Sequence, residues 1–122
     1  MMRRPVAHEV IQKSLVGEAI DGGPVGVFVA DHDRRYIAVN DYACRLLGYT
    51  REQLLSLSVT DVAVNEEAAA DYEEMMRRGR ETGRALLRAK DGHDVPVWFR
   101  ASSTTVGGLE LFVGVCWPVE DD

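Results

Sequence analysis

The sequence predicts an α+β fold in which helices cover one face of an antiparallel sheet. Segments with strand character cluster at both ends of the chain, and segments with helical periodicity lie between them. Asp91-Gly92 and Gly107-Gly108 separate apolar runs near the end of the chain, and such short glycine-containing turns are typical of hairpins. The length of 122 residues suits a single domain of this kind.

The first third of the chain is predicted to form an amphipathic helix followed by a hairpin. The helix spans 8–20 and ends at Asp21-Gly22-Gly23-Pro24. Its apolar side consists of Ile11, Leu15, Val16, Ala19 and Ile20. Val25–Ala30 and Tyr36–Val39 are predicted to be strands, and the polar segment between them forms the turn.

Several helices are predicted in the middle of the chain. Asn40 or Asp41 can cap the first of them, and Gly48 ends it. Thr50, followed three residues later by Gln53, has the spacing of a capping box for a second short helix. The clearest helix spans Asn65–Arg80, with apolar residues at intervals of three and four: Ala68, Ala69, Tyr72, Met75 and Met76.

The last third is predicted to contain three strands, Arg84–Lys90, Val95–Thr105 and Leu109–Val119. Pro96 has no amide proton to donate, which suggests that its strand is at an edge or contains a bulge.

Composition excludes several classes of partner. The formal charge is −6, from 14 basic and 20 acidic residues, which disfavours binding to nucleic acids and to anionic membranes. No apolar run approaches the roughly 18 residues of a spanning helix, and no secretory signal is evident at the start of the chain. The two cysteines, Cys44 and Cys116, do not make a disulfide framework, and we expect a cytoplasmic protein.

Three motifs carry a family resemblance: Val39-Asn40, Leu46–Leu54 (LLGYTREQL) and Lys90–Val97 (KDGHDVPV). Together with Gly26–Asp31 and Phe112–Val115, at their observed spacing, they resemble a PAS domain over about residues 24–117. The resemblance implies a five-stranded antiparallel sheet of order 2-1-5-4-3, with short helices on one face enclosing a pocket or a core. It also implies a sensory or protein-interaction module of a signal-transduction system, with its effector outside the chain.

This resemblance divides the chain into three parts. Residues 1–23 form the N-terminal amphipathic helix and linker, 24–119 the PAS domain, and 120–122 an acidic tail. The N-terminal helix is expected on or near the sheet face opposite the short helices.

No cofactor is expected. Haem-binding relatives hold iron through a histidine on the long helix, whereas the histidines here, His8, His32 and His93, are predicted at the surface. Flavin-binding relatives use asparagine and glutamine on the last three strands, where this chain has Leu87, Val97 and Cys116. Among these flavin-binding relatives, the light-oxygen-voltage photoreceptors have a cysteine motif on a later short helix, and Cys44 precedes that position. Two scattered cysteines without a suitably spaced histidine also make a poor metal site.

Strand alternation, oriented by the resemblance, predicts which side chains face the helices. They are Phe28, Ala30, Leu87, Ala89, Val97, Phe99, Ala101, Ser103, Phe112, Gly114 and Cys116, joined by Tyr72, Met75 and Met76 of the long helix. Two alternatives stay open: side chains fill this interior, or the small residues leave room for a small apolar ligand. Ser103 and Tyr72 would be the polar contacts of such a ligand.

The opposite sheet face carries Trp98, Val113, Val115 and Trp117, a large apolar area for a soluble domain. In similar PAS domains this face and the N-terminal helix often form a dimer interface. We therefore expect a homodimer through these four residues and Ile11, Leu15, Val16 and Ala19. The alternative is that the helix covers the face within one chain.

No phosphate loop or known catalytic motif is present, so we do not expect an enzyme. The competing function is a small isomerase-like enzyme on a curved sheet, which requires a carboxylate on the inward strand face. Asp94 and Glu110 are predicted at a strand end or outward, and Glu66-Glu67 and Glu73-Glu74 on the solvated side of a helix.

Overall fold

A computed structural model describes residues 19–66 and 68–119, apart from the side chains of Ala69, Asp71, Tyr72 and Met76. The predicted helix over 8–20 therefore lies almost entirely outside the described residues. Residues 19–21 are helical, and the helix ends at Asp21. The acidic tail 120–122 also lies outside the description.

In the described part of the chain, five strands form one antiparallel sheet. They are β1 (Gly26–Ala30), β2 (Tyr36–Val39), β3 (Arg80–Arg88), β4 (Asp94–Val106) and β5 (Leu109–Pro118). Their order is β2-β1-β5-β4-β3, which confirms the predicted order. The first hairpin meets the last through β1 and β5, where Phe28 lies opposite Gly114.

Within 40–66 and 68–79, the described residues between β2 and β3 form four short helices: α1 (Asp41–Leu47), α2 (Arg51–Leu55), α3 (Val59–Val62) and α4 (Ala68–Arg78). The predicted caps are confirmed. Asn40 accepts a hydrogen bond from the Ala43 amide, and Thr50 and Gln53 form a capping box. Gly48 ends α1 at φ 80°, in the left-handed region where glycine has no Cβ to clash.

Two predicted boundaries and one inference from proline are wrong. Helix α4 is shorter than predicted, because Gly79 adopts φ 80° and β3 then begins at Arg80 rather than Arg84. Pro96 lies in a central strand rather than at an edge or a bulge. Its carbonyl oxygen accepts a hydrogen bond from the Val119 amide, 3.1 Å away, just after the end of β5. The amide proton that proline lacks would point to the same side, where the pairing of β4 with β5 ends.

The core lies between the sheet and the helices. Leu47 of α1, Leu54 of α2 and Val62 of α3 are almost completely buried. Each fixes its helix on the sheet by removing apolar surface from water, an effect of about 1.5–3 kcal/mol per side chain. They pack with inward residues of the strands, among them Phe28, Tyr36, Val39, Leu87, Val97 and Cys116.

Candidate functional site

A cavity of about 390 Å³ lies against the inner face of the sheet. Ten of the residues predicted for a pocket line it: Phe28, Ala30, Met75, Leu87, Val97, Phe99, Ala101, Phe112, Gly114 and Cys116. The side chains that the structure describes therefore do not fill the interior. The open space lies beside Gly114, where an added Cβ would meet no atom within 4 Å. Whether these residues bind a ligand remains a prediction.

Two predicted pocket residues do not line the cavity. Ser103 lies beyond the end of α4, where its amide donates to the Gly79 carbonyl oxygen at 2.9 Å. Ala89 is buried at the other end of the sheet, where its amide donates to the His93 carbonyl oxygen in the β3–β4 turn. Both have the predicted inward orientation but sit outside the span of the cavity. The side chains of Tyr72 and Met76 are outside the described part of the chain.

Polar residues that were not predicted complete the lining. They are Arg34, Tyr36, Thr60, Asn65, Glu66 and Glu81. The connection from α3 to α4 carries two of them, Asn65 and Glu66, and it is held against β3 because the Val64 amide donates to the Leu86 carbonyl oxygen at 3.0 Å. The remaining apolar part of the wall comes from Val59, Ala63, Ala68, Ala85, Val113 and Val115.

The cavity has an apolar floor and a polar mouth. Thr60 and Glu66 are exposed, so the cavity opens to solvent beside α3 and the start of α4. Phe28, Tyr36 and Cys116 are buried at the sheet. A molecule bound here would place its apolar body on the floor and any charged group near the opening.

The titratable groups of the floor are neutral at physiological pH. Burial raises the pKa of the Cys116 thiol to about 12, and burial, with smaller effects of Cys116 and Asp61, raises the pKa of Tyr36 well above its ordinary value. Partial burial also raises the pKa of Cys44, which does not line the cavity. Both thiols are therefore protonated and weakly nucleophilic.

The lining of the cavity lacks the side chains by which the related domains bind haem or flavin. Leu87, Val97 and Cys116 all face it, and none has the side-chain amide that a flavin's polar edge requires. His32 and His93 are exposed in turns and do not line it, so neither is placed as an iron ligand. Within the described ranges, no three histidine, cysteine or acidic side chains form a group that could hold a metal ion. The absence of a cofactor remains a prediction.

The outer face of the sheet presents an aromatic surface. Trp98 and Trp117 are neighbours on β4 and β5, with 42% and 40% of their surface exposed. Val113 and Val115 lie beside them and are half-buried. The Arg84 guanidinium lies 5.2 Å from the centre of the Trp98 ring. We call Trp98, Trp117, Val113 and Val115 the outer patch.

The N-terminal part of the predicted dimer interface is mostly outside the description. Ala19 is exposed, and Ile11, Leu15 and Val16 precede the described residues. The helix end at 19–21 is tied to the sheet by Asn40, whose Nδ2 donates to the carbonyl oxygens of Ile20 and Val25 at 2.9 and 2.8 Å. The chain preceding β1 is therefore anchored at the β2–α1 junction.

Similarity to solved structures identifies the architecture. The PAS domain of a two-component sensor histidine kinase has a TM-score of 0.79 and 21% identity over 91% of this chain and 99% of that chain. The PAS domain of an HTR-like protein from Haloarcula marismortui has a TM-score of 0.77 and 19% identity over 93% and 96% of the two chains. A domain of a sensor histidine kinase/response regulator from Geobacter sulfurreducens has a TM-score of 0.72 and 21% identity, over 88% and 95%.

Two further findings concern the sequence and its helices. No curated protein sequence matches this chain significantly. None of the helices in the described part is long and apolar enough to span a bilayer. The family model of the PAS domain, however, matches residues 24–116, which are nearly all of the sheet and every helix between its strands. This chain belongs to the PAS domain family.

Proposed function

We propose that this PAS domain is the sensory module of a signal-transduction system and binds a small, largely apolar ligand in its cavity. The cavity itself is the observation that carries this proposal. The similar domains named above from sensor histidine kinases support a signalling role. The effector would lie outside the described residues, and the domain would act in the cytoplasm without a nucleic-acid or membrane partner and without catalysis.

The size of the cavity limits the ligand. Its volume of about 390 Å³ falls within the roughly 300–1,000 Å³ of small-molecule sites. Because a water molecule occupies about 30 Å³ in the liquid, the cavity has the volume of roughly 13 water molecules. Ala30, Ala101 and Gly114 leave this space where larger side chains would fill it. A compact molecule of about ten non-hydrogen atoms therefore fits the site.

Filling the cavity tests whether it binds a ligand. Gly114→Leu would put a side chain into the open space, whereas Ser102→Leu adds the same side chain on the exposed outer face. Native mass spectrometry of freshly purified protein would report a retained molecule, and NMR titration with toluene would report an apolar site. We expect binding to the wild type and Ser102→Leu and at least a tenfold loss in Gly114→Leu. Equal binding by all three would contradict the proposal.

A ligand on the cavity floor has a short path to the N-terminal segment. Cys116 lines the floor and pairs with Gly26, and an alanine Cβ at Gly26 would lie 3.1 Å from the Cys116 Sγ. The next residue, Val27, donates its amide to the Asn40 Oδ1 at 2.9 Å. A ligand that binds one arrangement of these contacts better than another would shift the population of the anchored segment.

The proposed signalling unit is a homodimer formed through the outer patch. Two exposed tryptophans next to two half-buried valines form a contiguous apolar surface of the kind that marks a protein interface. The N-terminal segment 8–20 would contribute its apolar side to the same interface.

One observation favours the alternative, enzymatic function. Glu81 lies on the inward face of β3 and lines the cavity, so the chain has the inward carboxylate that a curved-sheet isomerase requires. Its Oε1 accepts a hydrogen bond from the Thr82 amide at 3.0 Å. If the domain only senses, Glu81→Gln should leave toluene binding within about twofold of the wild type. A retained ligand that the wild type converts, and Glu81→Gln does not, would establish the enzymatic function instead.

A further inference from the structure

Tyr36 has a polar atom on the apolar floor that the fold does not use. The residue is only 7% exposed and lines the cavity. Its hydroxyl makes no hydrogen bond with any residue that the structure describes. In the same part of the chain, no side-chain nitrogen or oxygen is both sealed from open space and without a partner. The hydroxyl is therefore not sealed within the protein, and the residue that carries it lines the cavity.

The surroundings make this hydroxyl a donor to an uncharged group. The Phe28 ring lies 5.3 Å from the Tyr36 ring, tilted by 43°, and Cys116 lines the same floor. Burial keeps both the phenol and the thiol protonated. Water that reaches the hydroxyl can pair with it, so a ligand that displaces this water has to supply an acceptor in its place.

The charge of the lining disfavours an anionic ligand. Arg34 is its one basic residue among the described positions, and two carboxylates, Glu66 and Glu81, accompany it. A carboxylate on the floor would exchange its hydration for a single donor, which is unfavourable in an apolar environment. A neutral carbonyl oxygen loses far less on leaving water and accepts one hydrogen bond well.

We propose that Tyr36 donates a hydrogen bond to a neutral carbonyl group of the ligand, so that the cavity prefers uncharged carbonyl compounds over hydrocarbons of the same shape. This inference rests on the proposed ligand-binding function and specifies the ligand's chemical class. Aldehydes, ketones, esters and amides with a compact apolar body all have the required acceptor.

Two probes of the same shape test the inference. Acetophenone has a carbonyl group where α-methylstyrene has a terminal methylene, and both are small enough for the cavity. NMR titration would give the affinity of each for the wild type and for Tyr36→Phe. One neutral hydrogen bond corresponds to a roughly three- to tenfold preference for acetophenone in the wild type. In Tyr36→Phe we expect that preference to disappear while α-methylstyrene binds within twofold. Benzoate, the anionic analogue, should bind the wild type more weakly than acetophenone.

A stability measurement separates this role from a structural one. If no protein group uses the hydroxyl, the melting temperature of unliganded Tyr36→Phe should equal or exceed that of the wild type. A lower melting temperature, or an acetophenone preference that survives in Tyr36→Phe, would overturn the inference. Equal wild-type affinities for the two probes would overturn it and leave apolar ligand binding intact. Failure of both probes to bind would count against the proposed function as well.

Discussion

Replacing Asn40 by alanine should destabilise the domain far more than the loss of a helix cap. Asn40 is 7% exposed and makes four hydrogen bonds with its side chain. Its Oδ1 accepts from the amides of Val27 and Ala43 at 2.9 and 3.0 Å, and its Nδ2 donates to the carbonyl oxygens of Ile20 and Val25 at 2.9 and 2.8 Å. One amide group thus joins the N-terminal segment, β1 and α1.

The size of the effect follows from these bonds. At about 1 kcal/mol for each hydrogen bond, Asn40→Ala should lower the free energy of unfolding by about 4 kcal/mol. Asn40→Ser keeps the cap to Ala43 and should recover about 1 kcal/mol of that loss. Thr50→Ala removes an exposed cap, in which Thr50 Oγ1 accepts from the Gln53 amide at 3.1 Å, and should cost about 1 kcal/mol.

Urea denaturation followed by circular dichroism measures the free energy of unfolding of all three variants. If this free energy depends on urea concentration as steeply as in the wild type, unfolding remains two-state. Hydrogen exchange of the Val27 amide should accelerate in Asn40→Ser, where the cap survives but the cross-segment bonds do not. If Asn40→Ala cost no more than Thr50→Ala, the bonds to the N-terminal segment would contribute nothing and the proposed path from the cavity would lose its basis.

Three further predictions concern the sheet. Gly26→Ala should destabilise the domain by roughly 1–3 kcal/mol because its Cβ would lie 3.1 Å from the Cys116 Sγ, whereas Gly114→Ala should stabilise it by about 0.5–1 kcal/mol. Between pH 9 and 12 the folded thiol of Cys116 keeps a proton that the unfolded thiol loses, so stability should fall by up to about 4 kcal/mol as the pH rises. Replacing Trp98 and Trp117 together by serine should convert the proposed dimer to a monomer in sedimentation velocity experiments.

Each of these three has a control and a contrary outcome. Destabilisation by Gly114→Ala in urea would mean that the space beside it is not open. Cys116→Ala should flatten the alkaline loss of stability and leave the parts due to Cys44 and Tyr36; an unchanged pH profile would exclude Cys116 as a cause. Leu109→Ser changes an exposed residue at the start of β5, away from the outer patch, and should leave the proposed dimer intact. A monomeric wild type would refute the dimer.

The parts of the fold that depend on short-range chemistry could be predicted from the sequence. The Thr50–Gln53 capping box, the Asn40 cap and the glycine turn at Asp91-Gly92 each involve residues within a few positions of one another. The strand order came from the family resemblance, since pairing of β1 with β5 joins residues far apart in the sequence.

The lining of the cavity was only partly predictable. Tyr36 was missed because the β1–β2 pairing is irregular: Val29 pairs with Ala38 but Ala30 with Tyr36, so simple alternation fails along β2. Glu81 was missed because β3 begins four residues earlier than its apolar pattern indicates. The cavity exists because side chains from several elements leave a space between them, and no local sequence pattern predicts such a space.

The pairing of β1 with β5 also determines how the domain would respond to a pulling force. Gly26 at the start of β1 lies opposite Cys116 near the end of β5, so the chain enters and leaves the sheet side by side. Tension between the two flanking segments would peel this ladder apart one pair at a time, beginning at the residues beside the cavity floor. The bonds from Asn40 to Ile20 and Val25 precede the ladder and would bear the load first.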